Sequence, residues 1–64
     1  MGGLYNLMDE IVAVGLGVPM ETYINIIETK CTEEEATFII TTFIDEDEDN
    51  FDKAKETFNK YLNE

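Results

Sequence analysis

Apolar residues recur at helical spacing in four segments of this chain, separated by polar or acidic residues. In the first segment, residues 4–14, they lie three or four positions apart, as on one face of an amphipathic helix. That predicted buried face consists of Leu4, Leu7, Met8, Ile11 and Val14. The glycines of Gly15-Leu16-Gly17 then predict the end of the helix, because glycine adopts the left-handed conformation that commonly terminates helices.

A second helix is predicted to begin at Pro19, since proline suits the first helical position, where its missing N–H would have no partner. Its apolar stripe is formed by Met20, Tyr23, Ile24 and Ile27, and is widened by Ile26. The short connection Thr29-Lys30-Cys31 follows.

The third segment opens with Thr32-Glu33-Glu34-Glu35, which predicts a helix start through a capping box. The β-branched and aromatic residues of positions 37–44 favour a strand. Strict alternation is absent, however, so we predict a helix. Its buried stripe is formed by Ala36, Ile39, Ile40 and Phe43, with Phe38 and Ile44 beside it.

The fourth segment follows an acidic run and is capped in this prediction by Asp49, Asn50 or Asp52. Its apolar face comprises Phe51, Ala54, Phe58, Tyr61 and Leu62. Because helices this short are not stable alone in water, tertiary packing must hold them. We therefore predict an all-α fold, a compact bundle of three to four short amphipathic helices in a single acidic domain, residues 1–64.

The length and composition limit how such a bundle is stabilised. A chain of 64 residues buries only about 60% of its unfolded surface. Cys31 is its single cysteine, which excludes an internal disulfide and indicates a reducing, cytoplasmic setting. No apolar run approaches the ~20 residues of a membrane span, and no signal peptide is recognisable. The hydrophobic content of 44% leaves both a homodimer and a monomer open.

The charge of −11 decides which partners are favoured. Residues 1–32 carry four acids and one lysine, and residues 33–64 carry eleven acids and three lysines. No basic patch can be assembled, so neither direct nucleic-acid binding nor an anionic membrane surface is expected. Basic protein surfaces, including those of nucleic-acid-binding proteins, and cations are the expected partners.

Catalytic chemistry is disfavoured by the missing residue types. The chain has no histidine, serine, arginine or tryptophan, which excludes Ser–His–Asp and Cys–His arrangements. Cys31 has no evident base and is interpreted as a structural residue in a turn. We expect a protein that is not an enzyme and has no cofactor, with calcium as the one metal to consider.

Two acidic clusters at the ends of the third segment form the predicted partner-binding surface. They consist of Glu33, Glu34 and Glu35, and of the acidic run Asp45, Glu46, Asp47, Glu48 and Asp49, with Phe51 beside it. Phe38 and Phe51 would supply apolar contacts near them. The alternative is a structural or assembly subunit whose acidic run is only solvated. In size and charge the chain is similar to phage or mobile-element inhibitors that imitate the charge of DNA.

Residues 45–56 resemble the twelve-residue calcium loop of EF-hand proteins. The resemblance places Asp45, Asp47 and Asp49 at positions one, three and five, the Phe51 carbonyl at seven and Glu56 at twelve. It implies calcium ligation by Asp45, Asp47, Asp49 and Glu56. Asn50 and Asp52 depart from the glycine and the aliphatic residue of that family, and no second hand is present.

A further resemblance lies in Val14-Gly15-Leu16, the helix after it, and Glu35-Ala36 at the start of the third helix. This arrangement resembles the three-helix ubiquitin-associated domains. Val14 and Leu16 depart from the methionine and the aromatic residue of that family's loop. The resemblance implies a compact three-helix arrangement more than a ubiquitin partner.

Overall fold

Four α-helices form where the spacing of apolar residues predicts them. The computed structural model describes residues 7–64, so the predicted helix start at Leu4 lies outside the described residues. The helices are α1 (Leu7–Leu16), α2 (Met20–Thr29), α3 (Glu33–Ile44) and α4 (Phe51–Leu62). A short 3-10 helix, Glu48–Asn50, lies directly before α4 and was not predicted.

The turn between α1 and α2 is a glycine-terminated Schellman motif. Gly17 has a φ of 76°, and its N–H donates to the Val14 carbonyl at 3.1 Å. The Val18 N–H donates to the Ala13 carbonyl, also at 3.1 Å. These bonds satisfy carbonyls left free at the end of α1, so the predicted glycine stop is confirmed at Gly17. Pro19 is the N-cap of α2 rather than its first helical residue.

Gly15 lies inside α1 and has a packing role instead. A Cβ atom at this position would lie 2.6 Å from the Phe43 ring. Its missing side chain therefore allows α3 to approach α1 closely.

The capping box of α3 is confirmed. The Glu35 N–H donates to Thr32 Oγ1 at 3.1 Å, and the Thr32 N–H donates to Glu35 Oε1 at 3.0 Å. The β-branched residues that follow are helical, and two of their hydroxyl groups bond back along the helix. Thr41 donates to the Thr37 carbonyl at 2.8 Å, and Thr42 donates to the Phe38 carbonyl at 2.6 Å. Thr42 can therefore be buried without an unsatisfied hydroxyl group.

One apolar cluster draws residues from all four helices. Its buried members are Val12, Ala13, Tyr23, Ile26, Ile39, Phe43, Ala54 and Phe58. The Tyr23 and Phe58 rings stack with centroids 6.3 Å apart, joining α2 to α4. The fold is thus a compact all-α bundle, as predicted.

The predicted buried face of α1 is wrong. Leu7, Met8, Ile11 and Val14 are 69%, 48%, 45% and 74% exposed, whereas the buried residues of α1 are Val12 and Ala13. Asp9 lies on the same side of the helix as Val12 and Ala13, where its carboxylate accepts a hydrogen bond from the Tyr23 hydroxyl at 3.3 Å. The side that packs therefore includes a polar residue, and the spacing of apolar residues alone does not identify it.

Two smaller predictions also need correction. In α3, Ile39 is fully buried, whereas Ile40 is only half-buried. At the start of α4, Asn50 occupies the N-cap position without a side-chain bond to the helix. Its amide instead donates to Asp47 Oδ2 at 2.7 Å, which braces the turn.

The helices are short compared with a membrane span. Among residues 7–64 no single helix combines the length and apolar character needed to cross a membrane. Helices α1 and α2 reach both only as a pair, and they are bent by 100° at their junction.

Candidate protein-binding surface

The acidic run, residues 45–49, forms the turn that ends α3. Asp45 is the C-cap residue, and Glu46 adopts a left-handed backbone conformation with a φ of 54°. The Glu46 N–H donates to the Phe43 carbonyl at 3.3 Å, and the Asp47 N–H donates to the Thr42 carbonyl at 3.0 Å. This is again a Schellman geometry, here with glutamate where glycine is usual. For a residue with a Cβ atom, that conformation costs about 1–2 kcal/mol.

Most of the predicted partner-binding residues are exposed and form no ion pair with a lysine. The exposed ones are Glu33, Glu34, Asp45, Glu46, Asp47, Glu48 and Asp49. Within residues 7–64, the ion pairs join Lys60 to Glu35 at 2.9 Å and Lys30 to Glu64 at 3.9 Å. Neither pair involves an exposed member of the two clusters. Their charge is therefore left to solvent and salt.

Helix α3 separates the two acidic clusters. Its twelve residues, at 1.5 Å each, place them roughly 18 Å apart. Phe38 lies between the clusters and is half-buried. It lines a shallow groove of about 500 Å³ together with Glu33, Glu34 and Thr37. The surface thus combines negative charge with one accessible aromatic edge.

Phe51, a predicted partner contact, packs against the core of the protein. Its ring stacks on Phe43 with centroids 5.1 Å apart and an interplanar angle of 9°. It is half-buried, and its stacking connects the start of α4 to the end of α3. This contact holds the acidic run between two anchored helix ends.

Glu35 is drawn into the fold, unlike the two glutamates before it. Its carboxylate accepts hydrogen bonds from the Tyr61 hydroxyl at 2.6 Å and the Thr32 N–H at 3.0 Å, and it pairs with Lys60 at 2.9 Å. The bond from Tyr61, the bond from Thr32 and the ammonium group of Lys60 lower the pKa of Glu35 to about 2. Glu35 therefore connects the start of α3 to the end of α4. Its charge is paired with Lys60 and is not free to bind a partner.

We expect Glu35→Gln to lower the melting temperature at neutral pH, because glutamine retains the hydrogen-bond acceptor but loses the ion pair with Lys60. The folded pKa of Glu35 lies below its ordinary 4.5, so its ionisation stabilises the fold above that value. This contribution is lost as the pH falls towards about 2. The difference between variant and original protein should therefore shrink over that range in thermal unfolding followed by circular dichroism.

The matched control is Glu34→Gln. Glu34 occupies the same first turn of α3 but is exposed and has no lysine partner. Both variants remove one charge near the same helix dipole, so only Glu35→Gln tests the network. Equal melting temperatures for the two variants at pH 7 would contradict the role of Glu35.

The four predicted calcium ligands are not gathered into a site. In the described part of the chain, no group of three or more acidic, histidine or cysteine side chains is placed to hold a metal ion. Glu56 lies on α4, whose first residue is already Phe51, the predicted carbonyl ligand. The 3-10 helix Glu48–Asn50 also replaces the open loop that EF-hand ligation requires. Calcium binding stays a prediction that this geometry does not favour.

Cys31 is half-buried in the connection between α2 and α3. Burial, and then the negative charge of Glu35, raise the pKa of the Cys31 thiol. A raised pKa disfavours the nucleophilic thiolate form. This chemistry agrees with the interpretation of Cys31 as a structural residue, which stays a prediction.

The residues that resemble the loop of ubiquitin-associated domains are helical in this protein. Val14, Gly15 and Leu16 form the last turn of α1 rather than a loop. Gly15 packs beneath the Phe43 ring, so its role in this fold is helix packing.

The fold and surface together define a class: a small all-α bundle that exposes an unpaired acidic surface. No family model, no curated protein and no solved structure matches the chain.

Proposed function

We propose that this protein is a non-enzymatic binding module that docks its acidic surface onto a basic surface of a protein partner. The contact residues are Glu33 and Glu34, the acidic run and the edge of Phe38. In its specific form, the module is an inhibitor that imitates nucleic-acid charge and occupies a surface that otherwise holds nucleic acid.

The backbone of Glu46 carries this proposal. A turn that only connects two helices is best served by glycine or asparagine at the left-handed position. This chain has glutamate there, with four acidic neighbours that receive no lysine. Both the conformation and the mutual repulsion oppose folding. A role in binding a cationic surface accounts for both costs.

The spacing of the clusters supports the nucleic-acid comparison. The ~18 Å along α3 corresponds to about five phosphates of one duplex strand, at ~3.4 Å each. Two basic patches that a duplex would bridge could therefore be engaged together. With a net charge of −11, encounter with such a surface is accelerated electrostatically and slowed by salt.

The test neutralises the acidic run and compares it with an equal loss of charge elsewhere. The test variant combines Glu46→Gln, Asp47→Asn, Glu48→Gln and Asp49→Asn. The control variant combines Glu10→Gln, Glu21→Gln, Glu28→Gln and Glu56→Gln, all at exposed positions on other helices. Both variants have the same net charge, so they differ only in where the charge is lost.

Each protein is used to elute basic proteins of a native lysate from a duplex-DNA column at about 0.1 M salt, where exposed charges interact over ~10 Å. The association rate with any eluted protein is then measured in stopped flow. We expect the original and the control variant to elute it, and the test variant to associate at least about tenfold more slowly. Equal association rates for the two variants would leave the acidic run as a solvated connection.

A further inference from the structure

Helix α1 is apolar on two opposite sides. Its inner side places Val12 and Ala13 in the core, at 0% and 3% exposure. Its outer face consists of Leu7, Met8, Ile11 and Val14, which are 45–74% exposed. Apart from Asp9 and Glu10, every residue of α1 is apolar or glycine. In the described structure of residues 7–64, only the inner side is covered.

The spacing on the outer face is that of a helix-pairing seam. Leu7, Ile11 and Val14 follow one another at intervals of four and three residues. This is the alternation of d and a positions through which two helices pack their side chains into each other. Such a seam is complementary to itself, so a second copy of the same helix fits it without any further matching group.

The charge distribution identifies which occupant fits. Residues 11–20 contain no charged side chain. The Asp9 carboxylate accepts a hydrogen bond from the buried Tyr23 hydroxyl at 3.3 Å, which leaves Glu10 as the exposed carboxylate of α1. A basic partner has almost nothing to pair with on this face. Between two copies, this face itself adds little to the repulsion that their overall charge causes.

We propose that the outer face of α1 is the interface at which two copies of this chain pair, α1 against α1 across a twofold axis. This interface is separate from the acidic surface of the proposed function. The four side chains expose on the order of 400 Å² per copy, which is within the range of the largest apolar patch on an ordinary monomer. Two copies would bury less than the ~1,200 Å² of stable complexes. The dimer is therefore weak and forms at high protein concentration.

Salt separates this pairing from docking onto a basic partner. Two copies of charge −11 repel each other, and salt screens that repulsion. Pairing through an apolar face therefore strengthens with salt, whereas binding of a basic partner weakens. The two proposals can thus fail independently.

The test is sedimentation velocity from about 10 µM to about 1 mM protein, at about 0.05 and 0.5 M salt. Two variants alter the seam at exposed positions, so the core of the monomer is unchanged. Val14→Glu introduces a charge into the seam. Leu7→Gln removes an apolar side chain from the seam and introduces no charge. The control Asn59→Glu adds the same charge at an exposed position on α4. Circular dichroism checks that each variant is folded.

For the original chain and Asn59→Glu, we expect the mean mass to rise from 7.3 kDa towards twice that value with concentration, more so at high salt. Both seam variants should stay at the monomer mass, and Leu7→Gln decides the matter if Val14→Glu is unfolded. The proposal is overturned if the original chain is monomeric at the highest concentration and salt. It is equally overturned if a folded seam variant associates as the original does.

Discussion

Replacing Phe58 with alanine is expected to lower the free energy of unfolding by about 3–5 kcal/mol. Phe58 is fully buried and stacks on Tyr23, and this contact joins α4 to α2. Truncation removes the ring and leaves a cavity that small, close-packed neighbours fill only partly. A domain of 64 residues has a total stability of only about 3–10 kcal/mol. The variant is therefore expected to be at, or beyond, its limit of stability.

Urea unfolding followed by far-ultraviolet circular dichroism measures this loss. The matched control is Phe38→Ala, which removes the same atoms from a half-buried position on α3. We expect a clearly smaller loss there, because much of that ring already contacts water. Equal losses for the two variants would show that α4 is not anchored through Phe58.

Helix boundaries were largely predictable because their signals are local. The capping box of Thr32 and Glu35 spans four residues, and the stop at Gly17 depends on one residue's backbone freedom. Such signals depend on neighbouring residues and need no tertiary contact to be recognised. They also overrode the strand preference of positions 37–44, where hydroxyl groups bonded back to the helix carbonyls satisfy the threonines.

The packing side of α1 was not predictable from spacing. Polar Asp9 and Glu10 lie opposite the predicted face, but Asp9 is half-buried on the side that packs, because its carboxylate accepts a hydrogen bond from Tyr23. The choice depends on what the neighbouring helices require. Small Val12 and Ala13, with Gly15 beneath Phe43, allow α3 to lie close to α1. Leu7 and Val14 would hold the two helices farther apart.

Part of the candidate surface was likewise predictable from the sequence, and part was not. Exposure of the acidic run follows from its charge, since isolated buried carboxylates are strongly disfavoured. The capture of Glu35 by Lys60 and Tyr61 was missed, because 25 or more positions separate them in sequence. The left-handed backbone of Glu46 was also missed, since glutamate gives no signal for that conformation.

Replacing Ile39 with alanine is expected to cost about 2–5 kcal/mol, and Ile40→Ala distinctly less. The two residues are adjacent and chemically identical, and both belong to the predicted stripe of α3. The structure distinguishes them: Ile39 is 0% exposed within the four-helix cluster, whereas Ile40 is half-buried at its edge. Both substitutions replace isoleucine with alanine in the same helix, so helix propensity changes equally in the two variants. The difference between their losses of unfolding free energy therefore comes from packing.

Urea unfolding of both variants measures the two losses of stability. The slope of the unfolding free energy against urea concentration shows whether the unfolded state has changed. With equal slopes, a greater loss for Ile39→Ala shows that the Ile39 side of α3 faces the core. A greater loss for Ile40→Ala would mean that α3 is rotated about its axis relative to the described structure. Such a rotation would also change the direction in which Phe38 and the first glutamates of α3 face, so the same pair of variants tests the geometry on which the binding surface depends.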